Sequence, residues 1–529
     1  MVNWRRYSKK LPATSFVMLN LVLGIGHFVV LLAAGAFLPM LPYVAGSLGV
    51  ATPYAVWGQS NYVLAMALAF LIVRPLMQRY GAKHVALTAY LSFALSGVAL
   101  IAALQTYPLY VALRILQGFA AGLSIVPSLA LLLAHYRQAK QRVATGLWNL
   151  AAFVPFSIGP ALGGYFAYVL GDWRLMFLIF SALTLLVAAL VWALVDDQHV
   201  QPEEDRAIQP YLRQFGPLCL ALLALQAFYN LGILTDMSSR AYPAWWMLAA
   251  FALCAWLFFF LRMGRRTQLV DFSLFACENF SLGLVLLCLV FALIQGSVVQ
   301  YVLRLQFLEG YTAWHAGLLF LPLFLLSKPL SWLTHDLIHH GYDPRLLACL
   351  ALFGFALSFA WMGEYMRPTT WESLLWPQVL EGAALGPLLV SMNAIMLGNV
   401  PESKQMHAVD LINSSRTLAA AWVIPLSDIS WDRYAAHARS HLISPDVGDS
   451  YNFIAGLYPQ KLLPGTPLFH ELAHRLDMQS GWITFNAMFH ILAVACGVAA
   501  LLVWWASATH ISHRVNDLER VVETWGEDS

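Results

Sequence analysis

His27, Arg114, Glu381, Asp410 and Arg416 are ionisable residues set inside stretches that are otherwise apolar. A charge kept in hydrocarbon costs several kcal/mol unless it is paired, hydrated or used, so each marks a candidate site for moving protons or charged ligands. Glu381 precedes Gly382, and a carboxyl shut away from bulk water there is suited to taking up and releasing a proton. It is our first expectation for a coupling acid; the alternative is a carboxylate held permanently by an arginine. Arg114 has no acidic neighbour in sequence, so it must pair across helices or line a wet cavity, in a proton-linked or gating role. It stands too far from a helix end to snorkel comfortably. Asp410 and Arg416 are six residues apart, about 240° of helical rotation, so they are not expected to pair with each other. Arg416, with Asn413, is expected to face a central cavity, and Asp410 to couple protons or act as a gate. His27 is a third candidate for proton exchange because an unperturbed imidazole titrates near neutrality; a hydrogen-bonded packing residue is the alternative.

Two histidine patterns point to other chemistry. His470, Glu471 and His474 match H-E-x-x-H, in which two histidines one turn apart hold zinc and the glutamate activates water. No glycine and third histidine follow at metzincin spacing, so a membrane zinc hydrolase is the distant alternative and a solvated helix face the expectation. His335, His339 and His340 look like one histidine box of a di-iron enzyme, which needs several such boxes; a polar connection is the better account. No metal and no cofactor is expected.

The elements that must position these residues are membrane helices. The chain of 529 residues is 60% hydrophobic and 11% charged, too few charges to cover a surface in water. A formal net charge of +2, with the basic residues spread over short loops, carries no signal for nucleic acid. The six cysteines are scattered singly without a C-x-x-C pair, which argues against a disulfide framework or a thiolate metal site. The apolar run after Arg5, Arg6, Lys9 and Lys10 continues to about Met40, longer than the roughly 7–15 residues of a signal sequence, so it reads as a retained first span.

A span needs about 20 largely apolar residues, which places fourteen near 14–40, 54–78, 82–104, 107–134, 142–169, 173–195, 213–233, 243–263, 280–303, 312–336, 345–364, 371–399, 405–430 and 481–508. Loops carrying Arg79 and Lys83, then Arg137, Lys140 and Arg142, then Arg262, Arg265 and Arg266, alternate with loops nearly free of Lys and Arg, so both termini are expected in the cytoplasm.

The stretch from Leu116 to Ala152 returns 264 residues later as Leu380 to Arg416. Gly118, Ala120 and Gly122 fall on Gly382, Ala384 and Gly386; Lys140, Gln141 and Asn149 fall on Lys404, Gln405 and Asn413. A duplicated helix–loop–helix in so apolar a chain is what a two-halved transporter shows. The expected fold is therefore all-α: residues 1–195 as a six-helix half, 196–212 as a cytoplasmic linker, 213–263 as two inserted helices, and 264–529 as the second six-helix half. An outward segment is expected at about 431–480, long for a connection, and hence either a folded element, a contact surface or an inert loop.

Several motifs resemble one family. Arg114, Gln117, Gly118 and Gly122 resemble its R-x-x-Q-G motif in helix 4. Gly159, Pro160, Gly163 and Gly164, followed by Trp173 and Arg174, resemble its helix 5 antiporter motif. Pro42 to Gly49 resembles the end of its helix 1, and Gly310 through Pro322 the start of its helix 10. Together they resemble the fourteen-helix drug–proton antiporter group of the major facilitator superfamily, and within it the EmrB-type multidrug exporters, over nearly the whole chain.

The resemblance implies a multi-pass protein of the bacterial inner membrane, exporting amphipathic small molecules by proton antiport. It also implies a periplasmic adaptor and an outer-membrane channel as partners. Gating is expected at Gln78, Arg79, Gly81 and Lys83 and at Gly159, Pro160, Gly163 and Gly164. Trp57, Gln59, Asn61, Gln117, Trp148 and Asn149 join Asn413 and Arg416 as candidate substrate contacts, whereas Trp245, Trp246, Trp504 and Trp505 read as an interfacial belt. Two positions depart from the family: Gln78 stands where an acid is usual, and Ala33 where helix 1 usually has an Asp. These departures keep open a transporter dedicated to one metabolite such as a siderophore.

Overall fold

The computed structural model describes residues 13–102, 106–134, 155, 158–195, 208–234, 242–263, 268–365, 369–443 and 467–507. These are helical with no strand among them. In chain order, α1 is Ala13–Ala36, extended through a 3-10 turn into Leu41–Leu48; α2 is Thr52–Tyr80, α3 Ala82–Ala102, α4 Tyr107–Ala134, and α5 is described over 158–164 and a π-turn at Tyr165–Val169. Then come α6 Arg174–Leu194, α7 Gln209–Leu234, α8 Tyr242–Arg262 and α9 Glu278–Leu303, which ends in a π-turn at Arg304–Leu308. α10 is broken into Ala313–Leu318, Leu321–Leu325 and Ser327–His339; α11 is Pro344–Gly363, α12 Trp371–Leu397, α13 Glu402–Ile443 and α14 Pro467–Leu502.

Twelve of these runs are long and apolar enough to cross a membrane. α5 is described only in part. α13 is the longest at 42 residues, but Asn413, Arg416 and Asp428 lower its hydropathy.

α13 and α14 extend well beyond their expected spans of 405–430 and 481–508. The hydropathy rule marks only what lies in hydrocarbon, and a helix continues into water wherever its polar side chains can be solvated or paired. Arg439 of α13 meets Asp477 of α14 at 2.8 Å, and Glu471 meets Arg475 one turn on at 2.7 Å. Much of the segment expected at 431–480 is thus a pair of helical extensions. α7 likewise begins at Gln209, ahead of the expected boundary at 213.

α1 to α4 and α6 pack among themselves, as do α9 to α14, and α2 also packs along α13 across the two groups; α7 and α8 pack on each other, with α7 touching α2 and α13. α8 leaves Trp246, Trp256 and Phe260 exposed, as suits a helix facing lipid.

The repeat has a physical meaning in both halves. A Cβ on Gly118 would run into the Tyr62 carbonyl of α2, and one on Gly122 into the Met66 carbonyl; on Gly382 and Gly386 it would meet the carbonyls of Pro322 and Ser327 of α10. Glycine at these four positions lets α4 lie on α2, and α12 on α10, at backbone distance. α2 and α10 then end alike, at Gly81 (φ 81°) and Gly341 (φ 91°), a conformation that a side chain would strain.

Alternate connections gather at two ends of the bundle. One carries Arg79, Lys83 and Arg262 and is called the basic end; the other holds the turns at Gly49, Gly171 and Gly310.

Candidate functional site

Arg114 lies at the centre of the first half with no exposed surface. Its Nη1 donates to Gln117 Oε1 at 2.8 Å and its Nη2 to Gln59 Oε1, while Gln59 Nε2 donates to the Ala34 carbonyl at 3.2 Å. Phe37 and Tyr62 offer ring faces 4.0 and 4.4 Å from the guanidinium, so aromatic quadrupoles and amide oxygens take the place of a counter-charge. Gln59 and Gln117, expected as substrate contacts, are committed to Arg114. Asn61 turns back to donate to the Trp57 carbonyl of its own helix at 2.9 Å. His27 is buried in α1. Trp148 and Asn149 lie outside the described residues.

The same register in the second half reverses the charge. Residues 264 positions after Phe37, Arg114 and Gln117 are Tyr301, Gln378 and Glu381. Glu381 is buried to 1% and accepts a hydrogen bond from Ser358 at 3.2 Å, beside a narrow void lined by Ser297, Tyr301, Phe320 and Phe489. It therefore faces the interior of its own half, with no arginine paired to it among the described residues.

Among the described residues the halves are joined chiefly by α2 packed along α13 and by α5 packed on α10. At the basic end, Arg74 Nε of α2 holds Asp410 Oδ2 of α13 at 2.6 Å and Arg74 Nη2 reaches the Met406 carbonyl, while Ser414 donates to the Ala67 carbonyl at 2.9 Å. Gln78 lines the groove beside this pair, with Tyr211, Asp271 and His407; Arg79, Gly81 and Lys83 close α2 and open α3. Arg416 points elsewhere, its guanidinium 5.2 Å over the Phe291 ring of α9.

At the opposite end, Gly164 of α5 rests on the Ala313 carbonyl of α10, Gly317 of α10 rests on the Pro160 carbonyl, and Tyr165 meets Trp314 edge-on at 5.4 Å. Gly159 and Gly163 seat α5 against the backbone of Gly35 and Ala36 in α1. Pro160 leaves no N–H to satisfy at this crossing.

Sequence reading missed several charged residues. Arg74 escaped notice because it lies in an apolar run close to a helix end, where an arginine is ordinary. Arg304 and Glu309 form a pair at 3.0 Å with side chains 0% and 1% exposed; Glu309 also accepts from the Thr369 N–H at 2.9 Å, and Arg304 lies 4.1 Å over the Phe485 ring. Removing the carboxylate with Glu309→Ala strands a buried guanidinium, which costs about 3–5 kcal/mol. Thermal unfolding in detergent should show a clear loss of melting temperature, and an unchanged melt would mean the pair is not buried as described.

His470, Glu471 and His474 share the outer turns of α14, where Glu471 is taken by Arg475. Among the described residues no three metal-ligating side chains cluster.

Comparison with known proteins agrees with this architecture. The Major Facilitator Superfamily profile matches residues 23–424. The multidrug export protein EmrB of Haemophilus influenzae is 26% identical over 94% of this chain and 98% of its own. EmrB of Escherichia coli K12 is 26% identical over 94% and 96%, and the fatty acid resistance protein FarB of Neisseria gonorrhoeae 26% over 94% and 97%. The nucleoside transporter NupG shares the fold at a TM-score of 0.54 and 14% identity, covering 91% of this chain and 99% of that one. Two bundles in contact, a glycine repeat common to both, and these matches lead to one assignment: the chain belongs to the Major Facilitator Superfamily, as a multi-pass membrane transporter similar to the EmrB exporters.

Proposed function

We propose that this protein exports amphipathic small molecules across the bacterial inner membrane in exchange for protons, alternating between states open to either side. The observation that carries the reading is the pair of contacts between the two bundles, α2 packed along α13 with an ion pair at the basic end and α5 packed on α10 through glycines at the other. Opening either one gives access to the cleft between the halves. In this reading the basic end and both termini are cytoplasmic.

Glu381 is the proposed proton carrier, supported by its burial beside Ser358 with no cation paired to it among the described residues. Arg114 is the fixed positive charge of the other half, and Asp410 links proton binding to the cytoplasmic seal; His27 is a secondary candidate. Trp57, Trp148, Asn149, Asn413 and Arg416 are the proposed substrate contacts. The extensions of α13 and α14 beyond the membrane are the natural contact for a periplasmic adaptor leading to an outer-membrane channel.

The test is proton flux in proteoliposomes holding an internal pH dye, challenged with unrelated amphipathic drugs and with siderophores. Several drugs should evoke flux, and Glu381→Gln should reduce it to background. Flux evoked by a single compound class would favour a dedicated metabolite transporter. Flux indifferent to Glu381→Gln would remove the coupling role from that residue.

A further inference from the structure

His335 and His339 lie one turn apart at the end of α10, in the segment Ser327–His339, and both are exposed. An α-helix sets residues four apart on one face, and here the side chains converge as well. Their rings meet edge to face with centroids 4.5 Å apart, and the two Nε2 atoms stand 3.1 Å from each other. Two imidazole nitrogens at that distance share one hydrogen between them, and each is a metal ligand when neutral.

The separation is that of a chelate. Zinc–imidazole bonds are about 2.0–2.1 Å long, so two nitrogens on one ion lie about 2.9 Å apart at a right angle and about 3.4 Å apart at the tetrahedral angle. The observed 3.1 Å falls between these limits. An ion can therefore replace the shared hydrogen with a small turn of each ring, on a helix already formed. His437 and His441 on α13 make an instructive contrast: they too are one turn apart with ring centroids at 4.5 Å, but the rings are tilted at 42° and no ring-nitrogen contact joins them among the described residues.

The neighbouring groups set the kind of ion. Asp336 is engaged with His340, whose Nδ1 lies 2.8 Å from the Asp336 carbonyl and 3.6 Å from its carboxylate; one residue on from His335, it is turned about 100° around the helix. Among the described residues no third histidine, cysteine or carboxylate joins the pair. Two imidazoles without a carboxylate favour divalent copper, nickel or zinc over magnesium and calcium, which take oxygen ligands.

We propose that His335 and His339 form a two-histidine site for a divalent transition-metal ion, copper, nickel or zinc, at the basic end of α10, with water completing the coordination. The site goes beyond the export reading and does not depend on it. A bound ion ties the last turn of α10 to the turn before it, just ahead of Gly341, where a φ of 91° leads the chain out of the helix. With only two protein ligands the ion is exchangeable, unlike the closed four-ligand sites that hold structural zinc. Sequence reading took these histidines for a polar connection because spacing alone does not say how the rings turn; the approach of the two nitrogens does.

The test titrates nickel chloride, with magnesium chloride as the control, into the purified full chain in detergent, free of any polyhistidine tag, and follows binding by calorimetry. Wild type should bind nickel saturably and magnesium not at all. His335→Ala and His339→Ala should each weaken the tightest nickel binding by about tenfold or more, since either leaves a single imidazole, whereas His340→Ala and His437→Ala should leave it unchanged. Nickel should also raise the melting temperature of wild type and EDTA should reverse the rise, because an ion bound only by the folded chain stabilises it; His339→Ala should show no rise. Wild type that binds no nickel, binding that neither His335→Ala nor His339→Ala weakens, equal loss in His437→Ala, or a thermal rise of the same size in His339→Ala overturns the proposal. Both side chains are exposed, so the variants should fold; size exclusion checks this, and if one alanine variant aggregates, the other decides.

Discussion

Gly382→Leu should abolish folded protein, whereas Gly317→Leu should leave a folded protein that does not transport. Both glycines sit on a carbonyl of a neighbouring helix, Gly382 on Pro322 and Gly317 on Pro160. The difference lies in what the contact joins. Gly382 holds α12 to α10 inside one half, where no working state separates them, and an isobutyl group against fixed backbone exceeds the roughly 1–3 kcal/mol of ordinary overpacking. Gly317 holds α10 to α5 across the two halves, a contact that opening toward the opposite end must break in the proposed cycle. A leucine there can be accommodated by staying open, at the expense of the cycle. Size-exclusion profiles of the detergent-solubilised variants measure the first effect, and substrate flux in proteoliposomes the second. Aggregation of both variants would mean that the α5–α10 crossing is permanent structure rather than a seal.

The same glycines explain how much of the molecule was legible in the sequence. Gly118, Gly122, Gly382 and Gly386 were visible as a repeat because a backbone contact tolerates no substitute, so the spacing persists in both halves. Composition and hydropathy then located the spans, since burial in lipid constrains every residue on a lipid-facing surface.

Partners were less legible than elements. Asp410 and Arg74 are 336 residues apart, and nothing local announces their meeting. Arg304 and Glu309 are five residues apart, about 140° on an α-helix, which argues against a pair. The π-turn at Arg304–Leu308 changes that geometry, and π-turns are not foreseeable from spacing. Gln59 and Gln117 stand out in the sequence as polar residues in apolar helices, but nothing local announces that both accept hydrogen bonds from Arg114.

The Arg74–Asp410 pair allows an experiment whose result depends on what the carboxylate does. Its side chains are 19% and 14% exposed, enough burial for a coupling of about 1–3 kcal/mol, which shifts a two-state equilibrium by about 5- to 150-fold. Arg74→Ala should therefore favour the state open at the basic end, raising accessibility of a cysteine placed at Leu71 to a thiol reagent from that side and lowering transport. Arg74→Asp combined with Asp410→Arg restores the pair while moving the carboxylate from α13 to α2. If Asp410 is only a latch, the exchange should recover both protection at Leu71 and transport. If Asp410 also carries a proton signal into α13, protection should return while substrate-evoked proton flux stays low. Protection that the exchange fails to restore would mean that the seal depends on Ser414 and the α2–α13 backbone contact at Ala67, with the ion pair incidental to it.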